Sequence, residues 1–237
     1  MRPTDDAGPA RGRRPGKHTP ALSAQDWDRV RRLLADLRRE GRAYRYPWNS
    51  LEDDLAGAEG PLTLFGYGSL MNAASAAETV VATTGRAGPA LAFGVVRVFN
   101  YVIPEGAARK YGPIDDPAAR AALNVYPTDE ADDVVNGVLI RVPAADLPAL
   151  REREGGYDLV PVPCLDWFHP SSAPITAFAL SCPDGPVGGA GRIDDSLKPH
   201  VGYLEKCLQG AGSVSEEFRA MFLESTYLGG LRKRLNE

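Results

Sequence analysis

Three patterns of apolar and polar residues follow one another along the chain. From Ser23 to about residue 40, apolar residues recur at helical spacing, which predicts an amphipathic helix that Gly41 ends. From about Pro61 to Leu180, short β-type runs alternate with turn residues. The remainder predicts two helices, over about 198–209 and 215–228, separated by Gly210, Ala211 and Gly212.

The middle pattern predicts strands over 62–65, 91–99, 121–125, 134–142, 157–165 and 175–180. Short strands with helices at either end are typical of an α+β domain built on a small, mostly antiparallel β-barrel. A Gly- and Pro-rich loop over 183–197 joins this region to the C-terminal helices.

The region before the first strand differs in composition from the rest of the chain. Residues 1–20 are rich in Pro, Gly and charge, which predicts a disordered tail. Residues 21–60 then form a helical extension, and the domain spans 61–237. Arginines occur in both leading segments, and we interpret them as solvated residues rather than as a binding patch.

Composition and charge narrow the class of protein. The chain has 237 residues, 43% hydrophobic and 24% charged, with a formal net charge of −4 and a pI near 5.5. These values give no reason to expect nucleic acid or an anionic membrane as partner. No stretch approaches the roughly 18 apolar residues of a membrane span, and no apolar run follows the N-terminal arginines. Three scattered cysteines fit neither a disulfide framework nor a metal site, so we expect a cytoplasmic protein.

The first candidate for chemistry is the segment from Leu64 to Asn72, where a strand runs into a turn with two glycines around Tyr67. Such glycines free the backbone, so that its N–H groups can face a ligand. A helix predicted over 75–79 would favour a carboxylate or oxyanion at its N-terminal end. An ordinary strand-to-helix turn is the equally simple interpretation.

Two familiar motifs are excluded at this turn. A nucleophile elbow requires glycines two residues before and two after the serine, where this chain has Tyr67 and Met71. A phosphate loop requires Gly-Lys-Ser/Thr, and the segment has no lysine. Ser69 is therefore a candidate for binding or capping and a poor candidate for a nucleophile.

The second candidate is the run Arg151-Glu152-Arg153-Glu154-Gly155-Gly156-Tyr157, which predicts a short helix ending at the two glycines. Acids at the end of a helix oppose its macrodipole, although surface charges are the usual role of such a run. A carboxylate turned into a pocket there would have a raised pKa, as a general base working near neutrality requires.

Together the two segments resemble the gamma-glutamylcyclotransferase superfamily, which includes ChaC-type enzymes. Phe65-Gly66-Tyr67-Gly68-Ser69-Leu70 looks like the signature loop, and Arg153-Glu154-Gly155-Gly156-Tyr157 resembles the second motif, in which an acid before a Gly-Tyr turn is the base. The segments stand about 85 residues apart, as in the family, and the resemblance covers about residues 61–228. The spacing of the acid is closer to the branch with one residue before Gly-Tyr than to ChaC-type members.

The resemblance implies cleavage of a γ-glutamyl amide by the substrate's own α-amine, which releases 5-oxoproline and a free amine or amino acid. It makes Glu154 the catalytic base, with Glu152 as the alternative, and it assigns substrate binding to the loop of Tyr67, Gly68, Ser69 and Leu70. It implies no metal and no organic cofactor. The implied partner is a small γ-glutamyl molecule, and the oligomeric state is left open.

Further residues have two interpretations each. Arg97 follows a β-type run and is a candidate for reaching the leaving group, although an exposed strand end is the more usual explanation. Tyr157 and Tyr203 are candidates for the pocket wall, and half-buried packing is the ordinary role of a tyrosine on a helix. Asn124, in an apolar strand, predicts a buried amide bonded to backbone.

Two other functions stay open beside the cyclotransferase. One is removal of a γ-glutamyl protecting group from a biosynthetic intermediate. The other is a non-catalytic binding module on the same barrel, against which the acid at position 154 argues.

Overall fold

The computed structural model of the protein describes residues 16–39, Trp48, 61–78, 86–182, 192–229 and 233–237. The helices are α1 (Ala24–Arg39), α2 (Ala73–Ala77), α3 (Glu105–Ala108), α4 (Leu147–Glu154), α5 (Val201–Gly212) and α6 (Glu216–Glu224), with 3-10 turns at Ser69–Met71, Arg109–Tyr111 and Ala144–Asp146. The strands are β1 (Leu62–Gly66), β2 (Arg86–Phe93), β3 (Val95–Val102), β4 (Ala121–Pro127), β5 (Val134–Val142), β6 (Asp158–Asp166), β7 (Ile175–Ser181), β8 (Thr226–Leu228) and β9 (Lys233–Arg234).

Five strands close into a barrel in the order β1-β5-β2-β6-β7. All neighbours are antiparallel except β1 and β7, whose parallel pairing of Leu64 with Phe178 and of Phe65 with Ala179 completes the ring. Leu64, Phe65 and Leu91 are among the fully buried side chains of the core. The predicted α+β class with a small, mostly antiparallel barrel is therefore confirmed.

The prediction of one strand over 91–99 was wrong. The chain breaks at Gly94, whose φ of +70° lies in the left-handed region that favours glycine. Before the break β2 belongs to the barrel, and after it β3 enters a second sheet of order β4-β3-β8-β9. Continuous apolar character on both sides concealed the break, because each strand is buried.

The C-terminal helices also differ from the prediction. Helix α5 continues through Gly210 to Gly212, and residues 226–228 form strand β8 rather than the end of a helix. Gly210 is required because a β-carbon there would meet the backbone of Met71 and Asn72. It therefore marks a close approach of helix and turn, where the sequence suggested a helix end.

The described part of the N-terminal extension packs on the barrel. Val30 and Leu34 of α1 are buried, and Trp27 meets Phe93 edge to face at 5.7 Å. Burying a Val or Leu side chain contributes roughly 1.5–3 kcal/mol, so α1 forms part of the core. The predicted helix end at Gly41 lies outside the described residues.

The last residues of the segment predicted as a disordered tail contact the C-terminal helix α6 in the structure. His18 Nδ1 lies 2.8 Å from Oε1 of the buried Glu224, and the His18 N–H donates to Oε2 of the same carboxylate at 3.3 Å. A buried carboxylate strongly favours such a partner, which explains why this segment docks. Residues 1–15 lie outside the described part. No helix in the described ranges is long and apolar enough to cross a membrane.

Candidate active site

The loop after β1 is buried, and several of its backbone donors have no partner among the described residues. A 3-10 turn follows at once, in which the N–H of Met71 donates to the Gly68 carbonyl at 2.9 Å. Among the described residues no group accepts from the N–H of Gly68, Ser69 or Leu70. These donors line a small recess and are available to a ligand.

Helix α2 does not supply the N-terminal backbone donors that its predicted position suggested for the site. It spans only Ala73–Ala77, and the Asn72 side chain accepts from the Ser75 N–H at 3.1 Å, which caps its first turn. Thr79, the predicted helix end, lies outside the described residues. The donors of the site therefore belong to the loop and the 3-10 turn rather than to a helix end.

Gly68 is fixed by the close approach of Tyr203 from helix α5. A β-carbon at position 68 would overlap the Tyr203 hydroxyl. The Tyr67 hydroxyl donates to the Leu180 carbonyl, which ties the loop to β7 on its other side. The loop is thus held between helix α5 and strand β7. Position 68 requires glycine because Tyr203 leaves no room for a side chain.

Arg97 supports the backbone of the loop from within the core. It is neither exposed at a strand end nor placed in the cleft beside Glu154, in contrast to both of its predicted roles. Its side chain is 0% exposed. The guanidinium donates to the Tyr67 carbonyl at 3.2 Å, to the Asn136 carbonyl at 2.7 Å and to the Thr226 hydroxyl at 2.8 Å. A buried charge is stable only with such a set of acceptors, so Arg97 is a structural anchor of the loop.

Glu154 ends helix α4, and its carboxylate turns inward while Glu152 stays exposed. The Glu154 side chain keeps only 14% of its surface, and Oε1 lies 3.0 Å from Arg153 Nε. Burial raises the pKa of Glu154 above its ordinary value, and the nearby charges of Arg153 and Lys110 offset only part of that rise. The predicted helix end and inward acid are both present in this arrangement.

Arg153 joins the two sequence motifs. Beside its contact with Glu154 it donates to the Ser75 carbonyl at 2.7 Å and to the Ser75 hydroxyl at 3.2 Å, and it reaches the Ser69 hydroxyl at 3.5 Å. Arg153 therefore fixes the end of α4 against the turn that follows the loop. Sequence reasoning did not predict this role, because alternating charges are ordinary on a helix surface.

Tyrosines surround the Glu154 carboxylate. Tyr101 and Tyr157 stack at 4.2 Å between ring centroids, and Tyr111 meets Tyr203 edge to face at 5.1 Å. Burial raises the pKa of all four hydroxyls, and the negative charge of Glu154 adds to each rise. These phenols therefore stay neutral near pH 7, and the Tyr157 hydroxyl donates to the Leu123 carbonyl at 3.0 Å.

Two neighbouring cavities share Glu154 in their walls. The inner recess, of about 30 Å³, is lined by the loop and by Leu123 and Leu180. The outer cleft, of about 470 Å³, is lined on its far side by α3 and the following turn. Both cavities are lined by Ser69, Glu154, Tyr157 and Tyr203.

The outer cleft contains cations that the sequence did not reveal. Lys110 lies on its α3 side, and Arg192 lies opposite, where it donates to the Gly155 carbonyl at 3.3 Å. Arg192 is held in place because the backbone of Val102 bonds to its carbonyl at 2.7 Å. Tyr111 was also missed, because nothing in an isolated turn marks it as a pocket residue.

The Asn124 prediction is confirmed. Its side chain donates to the Cys182 carbonyl at 2.9 Å and accepts from the Cys182 N–H at 2.8 Å, which joins β4 to the end of β7. No cluster of potential metal ligands occurs among the described residues.

Comparison with known proteins finds matches among solved structures. No family model matches the chain, and no curated protein does. A structure named gamma-glutamyl cyclotransferase is similar with a TM-score of 0.47 and 13% identity, covering 68% of this chain and 85% of the other. A gamma-glutamyl cyclotransferase specific to glutathione from yeast gives 0.47 and 16%, covering 70% and 97%. The Bacillus subtilis protein YkqA gives 0.46 and 17%, covering 71% and 55%. The family that the two motifs resemble is thus represented among the matches.

Proposed function

We propose that the protein is a cyclotransferase that cleaves a γ-glutamyl amide by attack of the substrate's own α-amine and releases 5-oxoproline. The observation that supports this most is the position of Glu154. A mostly buried acid with a raised pKa lines both a larger cleft and the small recess that is lined by Gly68, Ser69 and Leu70. Recess and cleft correspond to the two halves of such a substrate.

One end of the glutamyl half would enter the inner recess. There the N–H groups of Gly68, Ser69 and Leu70 would receive either the glutamyl carboxylate or the oxyanion that forms at the γ-carbonyl. The recess, of about 30 Å³, admits only a few atoms, so the rest of the substrate would lie in the adjoining cleft. Preorganised donors of this kind stabilise developing charge without reorganisation during the reaction.

Glu154 would carry the proton in both steps. Its carboxylate accepts a proton from the α-ammonium group, and the freed nitrogen attacks the γ-carbonyl carbon. Glu154 passes this proton to the leaving nitrogen as the C–N bond to the leaving group breaks. Glu154 then takes the second proton from the ring nitrogen, which leaves the lactam N–H of 5-oxoproline, and transfers it to the released amine. Because nucleophile and electrophile belong to one molecule, the enzyme gains rate mainly by holding them close together.

The charge of the outer cleft favours a leaving group with a carboxylate. Lys110 and Arg192 line the cleft, and among the described residues Glu152 is its only acid besides Glu154, which is paired with Arg153. Charge-assisted hydrogen bonds to a carboxylate would favour an amino acid or peptide over a simple amine. Removal of a protecting group stays the second candidate, because a cleft of about 470 Å³ also admits a larger intermediate.

A non-catalytic binding module is the least favoured function. Burial of an acid opposes its ionisation and therefore costs folding free energy, and a binding site that needs no base has no use for that cost.

The test is a screen for 5-oxoproline release over γ-glutamyl amino acids, γ-glutamyl peptides and γ-glutamyl amines. We expect release from at least one of the first two classes, with slower turnover of the simple amines. Preferred turnover of the amines would contradict the assignment of the leaving group. Binding of γ-glutamyl compounds without any release would support the binding module instead.

A further inference from the structure

Trp48 links the N-terminal extension to the candidate active site. It lies outside the barrel domain in sequence, yet its side chain is only 7% exposed and belongs to the hydrophobic core. Its indole N–H donates to the Tyr157 carbonyl at 2.9 Å. Tyr157 lines both cavities and follows Glu154 by one tight turn.

Tyr157 is held at three further points. Its N–H donates to the Glu154 carbonyl at 2.9 Å, which closes the turn at the end of α4. Its hydroxyl donates to the Leu123 carbonyl at 3.0 Å, and its ring stacks on Tyr101. Trp48 therefore supplies the bond that fixes the backbone between the acid and strand β6.

We propose that Trp48 is a positioning residue, supplied by the N-terminal extension, that holds the Glu154–Tyr157 turn in its reactive geometry. This inference rests on the proposed function for its kinetic consequence. Its structural consequence, a turn held from outside the barrel domain, can be measured without any substrate.

The physical reason is that the Tyr157 carbonyl has a donor from a rigid, buried indole. A partly buried carbonyl that loses its donor must recruit water or shift. A shift at Tyr157 would move its ring against Tyr101 and, through the turn, would displace the Glu154 carboxylate. Since intramolecular attack depends on close alignment, a small displacement of the base has a large effect on rate.

Trp48→Phe tests this inference, and Trp27→Phe is a matched control. Both substitutions remove the same indole atoms from the extension, but Trp27 packs on Phe93, whereas Trp48 bonds to the Tyr157 carbonyl. We expect Trp48→Phe to lower kcat roughly tenfold with KM within about twofold, whereas Trp27→Phe leaves both within about twofold. Restoring the side-chain shape without the N–H, by placing β-(3-benzothienyl)alanine at position 48, should lower kcat in the same way.

Amide hydrogen exchange supplies the readout that needs no turnover. In Trp48→Phe the N–H of Tyr157 should exchange roughly tenfold faster, while Trp27→Phe leaves its rate unchanged. If wild type turns over and Trp48→Phe matches it in kcat, the inference is wrong and the proposed function stands. If wild type releases no 5-oxoproline, the proposed function fails. In that case the inference is tested by hydrogen exchange alone, and an unchanged exchange rate at Tyr157 in Trp48→Phe would overturn it as well. The benzothienyl variant decides the inference should Trp48→Phe not fold, since it keeps the volume of the indole.

Discussion

The inner recess and the outer cleft are built in different ways. The recess is lined mainly by one continuous segment, Phe65 to Leu70, with a single acid, Glu154, from the second motif. The cleft is lined by residues from separate elements, including Tyr101 on β3, Lys110 after α3 and Arg192 before α5. The difference suggests that the recess and its acid determine the reaction, whereas the cleft determines which molecule is processed.

The largest effect is expected from Glu154→Gln, which keeps the shape of the side chain and removes the proton acceptor. We expect kcat to fall by about 10²–10⁴-fold, the usual effect of losing a general base. Glu152→Gln is the matched control, since Glu152 lies two residues away and is exposed. The reverse result, an active Glu154→Gln and an inactive Glu152→Gln, would make Glu152 the base.

A second large effect is expected in the recess from Gly68→Val, because a β-carbon there overlaps the Tyr203 hydroxyl. We expect this variant to lose most activity or to fold poorly, as measured by turnover and by thermal unfolding. Ser69→Ala, at the next position, should stay within about tenfold of wild type because the serine is not the proposed nucleophile. An acyl-enzyme trapped on Ser69 would contradict this assignment.

Changes in the outer cleft should alter selectivity rather than chemistry. Lys110→Ala and Arg192→Ala should each raise KM roughly tenfold for substrates whose leaving group has a carboxylate, and should leave KM for γ-glutamyl amines unchanged. Lys198→Ala is the control, because that exposed lysine pairs with Asp116 outside the cleft. An equal loss for both substrate classes would show that these cations serve general stability.

The smallest effect is expected in the pH dependence of stability. The pKa of Glu154 is raised in the folded protein, so ionisation of this group costs wild type stability as pH rises from about 4.5 through the folded pKa. Glu154→Gln avoids that cost, and we expect its Tm relative to wild type to increase across this window and then stay constant. A thermal unfolding series from pH 4 to 8 measures the difference. A relative Tm that falls with rising pH would show that the carboxylate is stabilised by its surroundings.

The parts of the molecule that sequence reasoning predicted are local. The barrel strands follow from short-range alternation and turn residues, and the position of Asn124 follows from a polar residue within an apolar strand. The end of α4 at Glu154 follows from the two glycines after it. In each case the physical cause lies within a few residues of the feature.

The features that sequence reasoning missed depend on contacts between residues that are far apart in sequence. Gly210 resembles a helix end until the turn at Asn72 is placed against it, and Arg97 resembles an exposed strand end until its acceptors surround it. Trp48 and Arg192 reach the site from segments far apart in sequence, so no spacing marks them. The break at Gly94 separates two sheets that only tertiary packing defines.

The most direct test of the proposed reaction is to run it in ¹⁸O-labelled water and to weigh the first product. If the substrate's α-amine is the nucleophile, water takes no part, and 5-oxoproline should form without label and without free glutamate preceding it. Acetylation of the α-amine should abolish turnover, because the acetylated nitrogen is no longer nucleophilic. Labelled glutamate as the first product, or turnover of the acetylated substrate, would contradict the proposal and would make Glu154 an activator of water.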